Sequence, residues 1–132
     1  MRVELTVLGS GTSMGVPVIG CQCRVCQSDD PRDKRTRPSI LLRYNKRSVV
    51  IDTGPDFRTQ AIREGLDRLD AILYTHAHAD HILGLDDVRP LNNMGSHVVP
   101  IYGNRPALDG LRRVFKYIFD GNYPWGEIGK AH

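Results

Sequence analysis

The chain has 132 residues, of which 40% are hydrophobic and 25% are charged, and its formal net charge is +3. This composition suits one globular domain with a modest core and excludes disordered and fibrous classes of protein. Its apolar stretches are only a few residues long, and the N-terminus leads directly into an alternating strand. We therefore expect neither a membrane span nor a secretory signal.

The predicted elements alternate between strands and helices. The first half contains a strand over 3–8, a long irregular segment over 9–38, a strand over 39–44, a turn at Asn45-Lys46 and a strand over 48–52. The chain then continues with a helix over 56–64, a strand over 70–75, a helix over 81–91, a strand over 98–102 and a helix over 106–119. This order predicts an α/β fold, and the absence of repeats or a linker predicts a single domain over 1–132.

Three cysteines crowd into six residues of the irregular segment: Cys21, Cys23 and Cys26. An odd number at this spacing does not suit a disulfide framework and fits a protein of the reducing cytoplasm. Thiolates in the order C-x-C-x₂-C can converge on one tetrahedral ion, which needs a fourth ligand from elsewhere. Buried or redox-active thiols without a metal are the alternative.

Positive charge is concentrated from Arg32 to Arg47. Seven basic residues there accompany one acid, Asp33, so the stretch carries +6 and the remainder of the chain −3. Such a patch can attract a phosphate-bearing substrate or nucleic acid, but an ordinary solvated face is the favoured interpretation. Tyr44 is the one aromatic residue of the stretch. Nucleic-acid binding is therefore not favoured.

The densest group of candidate metal ligands follows the predicted strand over 70–75. His76, His78, Asp80 and His81 lie within six residues and are separated by alanines. Imidazole and carboxylate suit Zn²⁺ and Mn²⁺, and small spacers let the backbone fold around an ion. His76 and His78 can face one ion from extended backbone, while Asp80 and His81 can face a second ion from the start of a helix. A solvated loop and a single structural ion are the alternatives.

The order His76-x-His78-x-Asp80-His81 resembles the signature of the metallo-β-lactamase superfamily of binuclear metallohydrolases. A strand with a glycine turn over 3–11 and the segment 49–54 precede it in the expected order. The resemblance implies an αββα sandwich of which this chain is the first half, apparently truncated on its C-terminal side. The remaining metal ligands would then come from a second half, since neither His97 nor His132 matches a missing ligand.

We expect a chain of this length to be inactive alone, because it supplies only part of two coordination shells. We also expect it to expose an apolar sheet face and therefore to dimerise or aggregate. Asp52, which ends a predicted buried strand, is suited to accept a hydrogen bond from a metal-bound histidine. Its alternative role is turn formation.

The segment 11–17, the cysteine triad and the segment 85–92 resemble one branch of the superfamily, which includes phosphoribosyl 1,2-cyclic phosphate phosphodiesterase. In that branch the triad and a downstream histidine hold a structural zinc. The resemblance implies that two zinc or manganese ions hydrolyse a small cyclic or nucleotide-like phosphodiester, with Asp80 and His81 as catalytic residues. A tRNA 3′-end nuclease, a lactonase or thioesterase, and a non-catalytic zinc-binding or partner-binding fragment are the alternatives.

Overall fold

The computed structural model describes residues 1–94 and 98–121, and these form a five-stranded mixed sheet with helices. The strands are β1 (Val3–Gly9), β2 (Ser39–Tyr44), β3 (Arg47–Ile51), β4 (Ala71–Tyr74) and β5 (Ile101–Gly103). They lie side by side in chain order. The first three strands pair antiparallel, and β3, β4 and β5 pair parallel. The predicted α/β class is confirmed. His97 and His132 lie outside the described residues.

The helices are α1 (Phe57–Arg63), α2 (Ala79–Ile82), α3 (Arg89–Met94), α4 (Arg105–Val114) and α5 (Lys116–Phe119). Two 3₁₀ turns span Pro31–Asp33 and Leu85–Val88. No helix among the described residues is long and apolar enough to cross a membrane.

The predicted continuous helix over 81–91 is wrong, because the chain breaks at Gly84. The Gly84 N–H donates to the Thr53 carbonyl at 2.9 Å, and a Cβ at Gly84 would collide with the Gly54 carbonyl oxygen. This docking against the end of β3 replaces the helical path with α2, a 3₁₀ turn and α3. The expected helix over 106–119 is also divided, at Phe115, whose φ and ψ are −110° and 44°.

The strand expected over 98–102 begins later, at Ile101. Proline at position 100 has no N–H to donate to a neighbouring strand. The Val99 N–H donates to the Asn92 side chain at 2.9 Å. Residues before β5 are therefore held by a side chain of α3 and by the Pro100 carbonyl, which accepts from the Ile72 N–H.

One sheet face carries the hydrophobic core. Leu41, Val50, Ile72 and Ile101 are each 0% exposed and belong to one cluster. Helical side chains complete that cluster: Phe57, Ile82, Leu85, Val88, Leu108 and Leu111. The pleat then turns the alternate residues of each strand to the opposite face.

That opposite face is apolar but open, and we call it the open sheet face. The strand register brings Val7, Ile40, Ile51, Leu73 and Tyr102 into one row across all five strands. Val7, Leu73 and Tyr102 are 53%, 36% and 40% exposed. In the part of the chain that the structure describes, the helices therefore cover one face of the sheet.

The strand directions bring several chain segments to one edge of the sheet. Because β1 and β3 both pair antiparallel with β2, their carboxyl ends meet the amino end of β2. Because β4 pairs parallel with β3, its carboxyl end lies at the same edge. We call this the site edge; it gathers the segments that follow Gly9, Ile51 and Tyr74 and the segment that precedes Ser39.

Candidate metal centre

The segment Thr75–His81 leaves β4 at the site edge, and we call it the histidine loop. Its backbone is extended at His78, with φ −73° and ψ 150°, and α2 begins at the next residue. The His81 N–H donates to the His78 carbonyl at 2.9 Å. The change from extended to helical backbone comes where the sequence predicts it, within the ligand motif.

The histidine loop brings its four candidate ligands together. The His76 ring centroid lies 4.7 Å from that of His78 and 4.0 Å from that of His81. The Nε2 atom of His81 lies 3.0 Å from Oδ2 of Asp80. His78 is exposed, and the side chains of His81 and Asp80 are 16% and 17% exposed. The donors therefore border solvent, as a site that admits a substrate requires.

These donors fit a divalent cation. Two atoms that each lie about 2.1 Å from a tetrahedral zinc ion are about 3.4 Å apart. The separation of 3.0 Å between His81 Nε2 and Asp80 Oδ2 is close to that value. A neutral imidazole and a carboxylate are also the ligand types that zinc and manganese accept. The pair His81 and Asp80 can therefore share an ion, whereas the group of three ligand atoms that lie within 4.8 Å of one another among the described residues is the cysteine triad.

Asp52 orients the ring of His81. Its Oδ2 lies 2.7 Å from His81 Nδ1, so the tautomer with its N–H at Nδ1 would leave the Nε2 lone pair free to bind a metal. The same carboxylate accepts from the Thr75 N–H at 2.8 Å and from the Thr75 hydroxyl at 2.6 Å. Its backbone has φ 63°, so Asp52 also forms a turn. Asp52 therefore contacts a candidate metal ligand and also forms a turn, and its role towards a metal-bound histidine stays a prediction.

Two glycines allow neighbouring backbone to approach the histidine loop. A Cβ at Gly54 would collide with the carbonyl oxygen of Asp80, and one at Gly110 of α4 would collide with the Ala77 Cβ. Gly54 belongs to the segment 49–54, which the sequence analysis connects with the ligand motif. Nothing in the sequence indicates a contact between Gly110 and Ala77, since 33 positions separate them. The small size of Ala77 thus serves contact with α4 as well as folding of the loop.

A buried hydrogen-bond network lies beneath the loop. The Thr53 hydroxyl bonds to the Tyr74 hydroxyl, and the Thr53 N–H donates to the His81 carbonyl at 2.9 Å. Thr53 is 0% exposed and Tyr74 4% exposed. Burial, opposed in part by the Thr53 bond, raises the pKa of Tyr74, which stays neutral. Sequence reasoning missed both residues, because their apolar surroundings resemble ordinary core.

The cysteine triad forms a second candidate metal site. The sulfur atoms of Cys21, Cys23 and Cys26 all lie within 4.8 Å of one another. Sulfurs bound about 2.3 Å from a tetrahedral zinc ion would be about 3.8 Å apart. The Cys26 N–H donates to Cys23 Sγ at 3.4 Å. That bond and those with the neighbouring thiols lower the pKa of Cys23 to about 7, which favours the thiolate that binds metal.

Several basic side chains of the stretch Arg32–Arg47 form ion pairs or hydrogen bonds with nearby protein groups. Arg32 pairs with Asp30 at 2.6 Å, and Arg43 Nη2 donates to the Glu64 carbonyl at 2.9 Å. The Lys34 ammonium donates to the Ser28 carbonyl at 2.6 Å. Protein groups therefore bind these three basic side chains, and the interpretation of the stretch as a solvated face stays a prediction. Arg37 differs, because it lies in the segment that reaches the site edge.

A mixed sheet with a histidine-rich loop at the carboxyl end of a strand defines a metallo-β-lactamase-like domain. A family model described as the beta-lactamase superfamily domain matches residues 47–130. The chain therefore belongs to the β-lactamase superfamily.

A solved structure of a new diphosphatase from the PhnP family is 56% identical to this chain, with a TM-score of 0.90. The alignment covers 100% of this chain and 50% of that one. An octanoyltransferase of Porphyromonas gingivalis is 48% identical over 89% of this chain and 24% of its own length. A ribonuclease Z of Bradyrhizobium diazoefficiens is 35% identical over 64% of this chain and 29% of its own length. The chain thus spans half or less of each relative.

Proposed function

We propose that this protein is a metal-dependent hydrolase that cleaves a small phosphodiester, cyclic or nucleotide-like. The observation that carries the proposal is the 56% identity with a diphosphatase over the whole chain, which includes the histidine loop. Membership of the β-lactamase superfamily supports hydrolysis. The exposed His78 ring and the partly exposed side chains of His81 and Asp80 at the site edge support a site open to a small substrate.

In this proposal two divalent ions, zinc or manganese, bind at the histidine loop. His76 and His78 hold one ion, and Asp80 and His81 hold the other. When bound, such ions supply hydroxide near neutral pH and neutralise charge on the phosphoryl oxygens. Asp52 keeps the Nε2 of His81 directed at its ion. The Thr53 N–H holds the His81 carbonyl and so positions the same residue from the backbone side.

We further propose a structural zinc at Cys21, Cys23 and Cys26. The mutual approach of the three sulfurs and the lowered pKa of Cys23 support it. Three free thiols within six residues also support a cytoplasmic location, since a reducing compartment keeps them available for metal.

Two other activities remain as alternatives within the superfamily. The ribonuclease Z relative favours a tRNA 3′-end nuclease, with nucleic acid as the substrate, although its alignment covers less of this chain than that of the diphosphatase. A lactonase or thioesterase would use the same metal chemistry on a carbonyl carbon. A non-catalytic zinc-binding or partner-binding fragment is the third alternative, and metal content separates it from an enzyme.

The experiment compares substrates on the metal-loaded full-length protein, since the 132-residue chain is expected to be inactive alone. We expect turnover of bis(p-nitrophenyl) phosphate to exceed that of a p-nitrophenyl thioester, a lactone and a precursor tRNA, with about three metal ions per protomer. Asp80→Ala should abolish that turnover and leave the circular dichroism spectrum unchanged. Asp87→Ala is the matched control, because this exposed aspartate lies outside the histidine loop. Unchanged turnover in Asp80→Ala, or one thiolate-bound zinc as the sole metal, would contradict the proposal.

A further inference from the structure

Arg37 lies at the site edge, close to the histidine loop. It precedes β2, whose amino end adjoins the carboxyl ends of β1 and β3. The Arg37 Cβ is 3.8 Å from the position that a Cβ would take at Gly54, and that position collides with the Asp80 carbonyl. One glycine therefore separates Arg37 from the backbone of a candidate metal ligand.

The side chain of Arg37 extends from there towards the turn at Gly15. Its Cδ and Nη1 lie 3.6 Å and 3.8 Å from the position of a Cβ at Gly15. The side chain is 29% exposed, so one part is enclosed and another reaches solvent. The guanidinium therefore occupies a partly enclosed position between the segments that follow β1 and β3.

Asp56 fixes the orientation of this arginine but leaves donors unused. Asp56 Oδ2 accepts from the Arg37 N–H at 2.9 Å and lies 3.0 Å from Nε. The second approach is poorly aligned, and Nε is a buried nitrogen without a hydrogen bond. Among residues 1–94 and 98–121, no hydrogen-bond acceptor pairs with Nη1 or Nη2 of Arg37. The terminal nitrogens Nη1 and Nη2 are therefore available to a ligand or to water on the part of the side chain that reaches solvent.

We propose that Arg37 is a substrate-binding residue whose terminal nitrogens hold a phosphate oxygen of the substrate beside the metal ions. This inference rests on the proposed function and adds the protein group that recognises the phosphate. A planar guanidinium presents parallel N–H donors that match phosphate oxygens, which a lysine ammonium cannot reproduce. The ion pair with Asp56 positions the guanidinium group before the substrate binds. Neighbouring Arg35 lacks this position, since it is exposed and donates to the Ser10 hydroxyl at 2.9 Å.

The test measures phosphate recognition separately from chemistry. In the metal-loaded full-length protein we expect Arg37→Gln to weaken binding of inorganic pyrophosphate by roughly ten- to a hundredfold in calorimetric titration. The KM for bis(p-nitrophenyl) phosphate should rise and metal content should stay unchanged. Arg37→Lys should recover only part of the affinity. Arg35→Gln, which removes one positive charge from the same segment, should bind pyrophosphate as the parent does.

Equal weakening in the Arg37→Gln and Arg35→Gln variants would overturn the inference, because it would indicate general electrostatic attraction. Unchanged affinity in Arg37→Gln would overturn it as well. A second measurement needs no variant. Pyrophosphate should protect Arg37 of the parent from chemical modification by phenylglyoxal, which peptide mass spectrometry can follow. Lack of protection would count against the inference. If Arg37→Gln turns over substrate with an unchanged KM, the substrate-binding role of Arg37 is rejected and the proposed function is not. If the parent shows no turnover, the proposed function itself is rejected.

Discussion

At the scale of residues, the histidine loop shows which part of a site a sequence can reveal. His76, His78, Asp80 and His81 are close in the chain, so their chemistry can be recognised from spacing. The partner of His81 is less evident, because Asp52 lies 29 positions away. Its place at the end of a strand is a useful signal, but its two bonds to Thr75 need the strand pairing that only the structure supplies.

Asp52→Asn tests the orienting role of this carboxylate. The amide cannot accept from His81, from the Thr75 N–H and from the Thr75 hydroxyl as a carboxylate does, so the imidazole loses its preferred tautomer. We expect metal affinity at the histidine loop to fall by about ten- to a hundredfold, measured by competition with a chromophoric chelator. Asp70→Asn is the control, since Asp70 accepts from the Ser48 N–H and pairs with Arg68, away from the loop. Equal affinity in the parent and Asp52→Asn would remove Asp52 from the metal site.

Cys23→Ser tests the cysteine triad. If the triad holds a structural zinc, the variant should release one zinc per chain and melt at a lower temperature, while the histidine loop keeps its metals. The pH dependence has a defined sign: a pKa lowered to about 7 keeps Cys23 a thiolate above that pH. A backbone bond from Val18 lowers the pKa of Cys26, but burial and the neighbouring thiols raise it by more, so proton competition should weaken zinc binding progressively as the pH falls and not only below about 7. Equal zinc content in the variant and the parent, by atomic absorption, would indicate free thiols instead.

At the scale of elements, the sequence predicts most strands and misplaces the helices after the histidine loop. Strand β2 agrees with its alternation over 39–44, and the Asn45-Lys46 turn has the positive φ values of 47° and 62° that a tight hairpin needs. The spacing of Ile82, Leu85 and Val88 correctly identifies buried residues. It cannot show that Gly84 docks on Gly54, because that contact depends on β3 and on the loop together.

Gly110→Ala tests the contact between α4 and the histidine loop. Inside a helix this change ordinarily stabilises by about 1 kcal/mol. Here the added methyl group would collide with Ala77, so we expect a net loss of roughly 1–3 kcal/mol in the free energy of unfolding. Metal affinity should fall as well, because Ala77 lies between two candidate ligands. Asp109→Ala, on the exposed face of α4, is the control.

Recovery in the double variant Gly110→Ala with Ala77→Gly would identify the steric contact as the cause. A Gly110→Ala protein that is more stable than the parent, with full metal affinity, would show that α4 does not support the loop. Denaturant unfolding and chelator competition supply the two readouts.

At the scale of the whole molecule, the helices cover one sheet face and leave the other apolar. Leu5 and Val7 of β1 are 59% and 53% exposed, and Tyr102 of β5 is 40% exposed at the far side of the sheet. A sheet with one solvated face usually carries polar residues there. Alternation in the sequence predicts strands, but it does not show which of the two alternating sets of side chains the helices cover. The register settles it, since it aligns apolar residues of all five strands on one open face.

The open sheet face predicts self-association of the 132-residue chain. Large contiguous apolar surfaces associate because contact removes them from water. We expect sedimentation velocity to show dimers or larger species at micromolar concentration. Val7→Lys should shift them towards monomer, because it places a charge within the apolar row. Val114→Lys is the matched control: Val114 of α4 is 51% exposed and lies outside the sheet, so its substitution should leave association unchanged. A parent chain that stays monomeric throughout would show that the open sheet face tolerates water and is not an association surface.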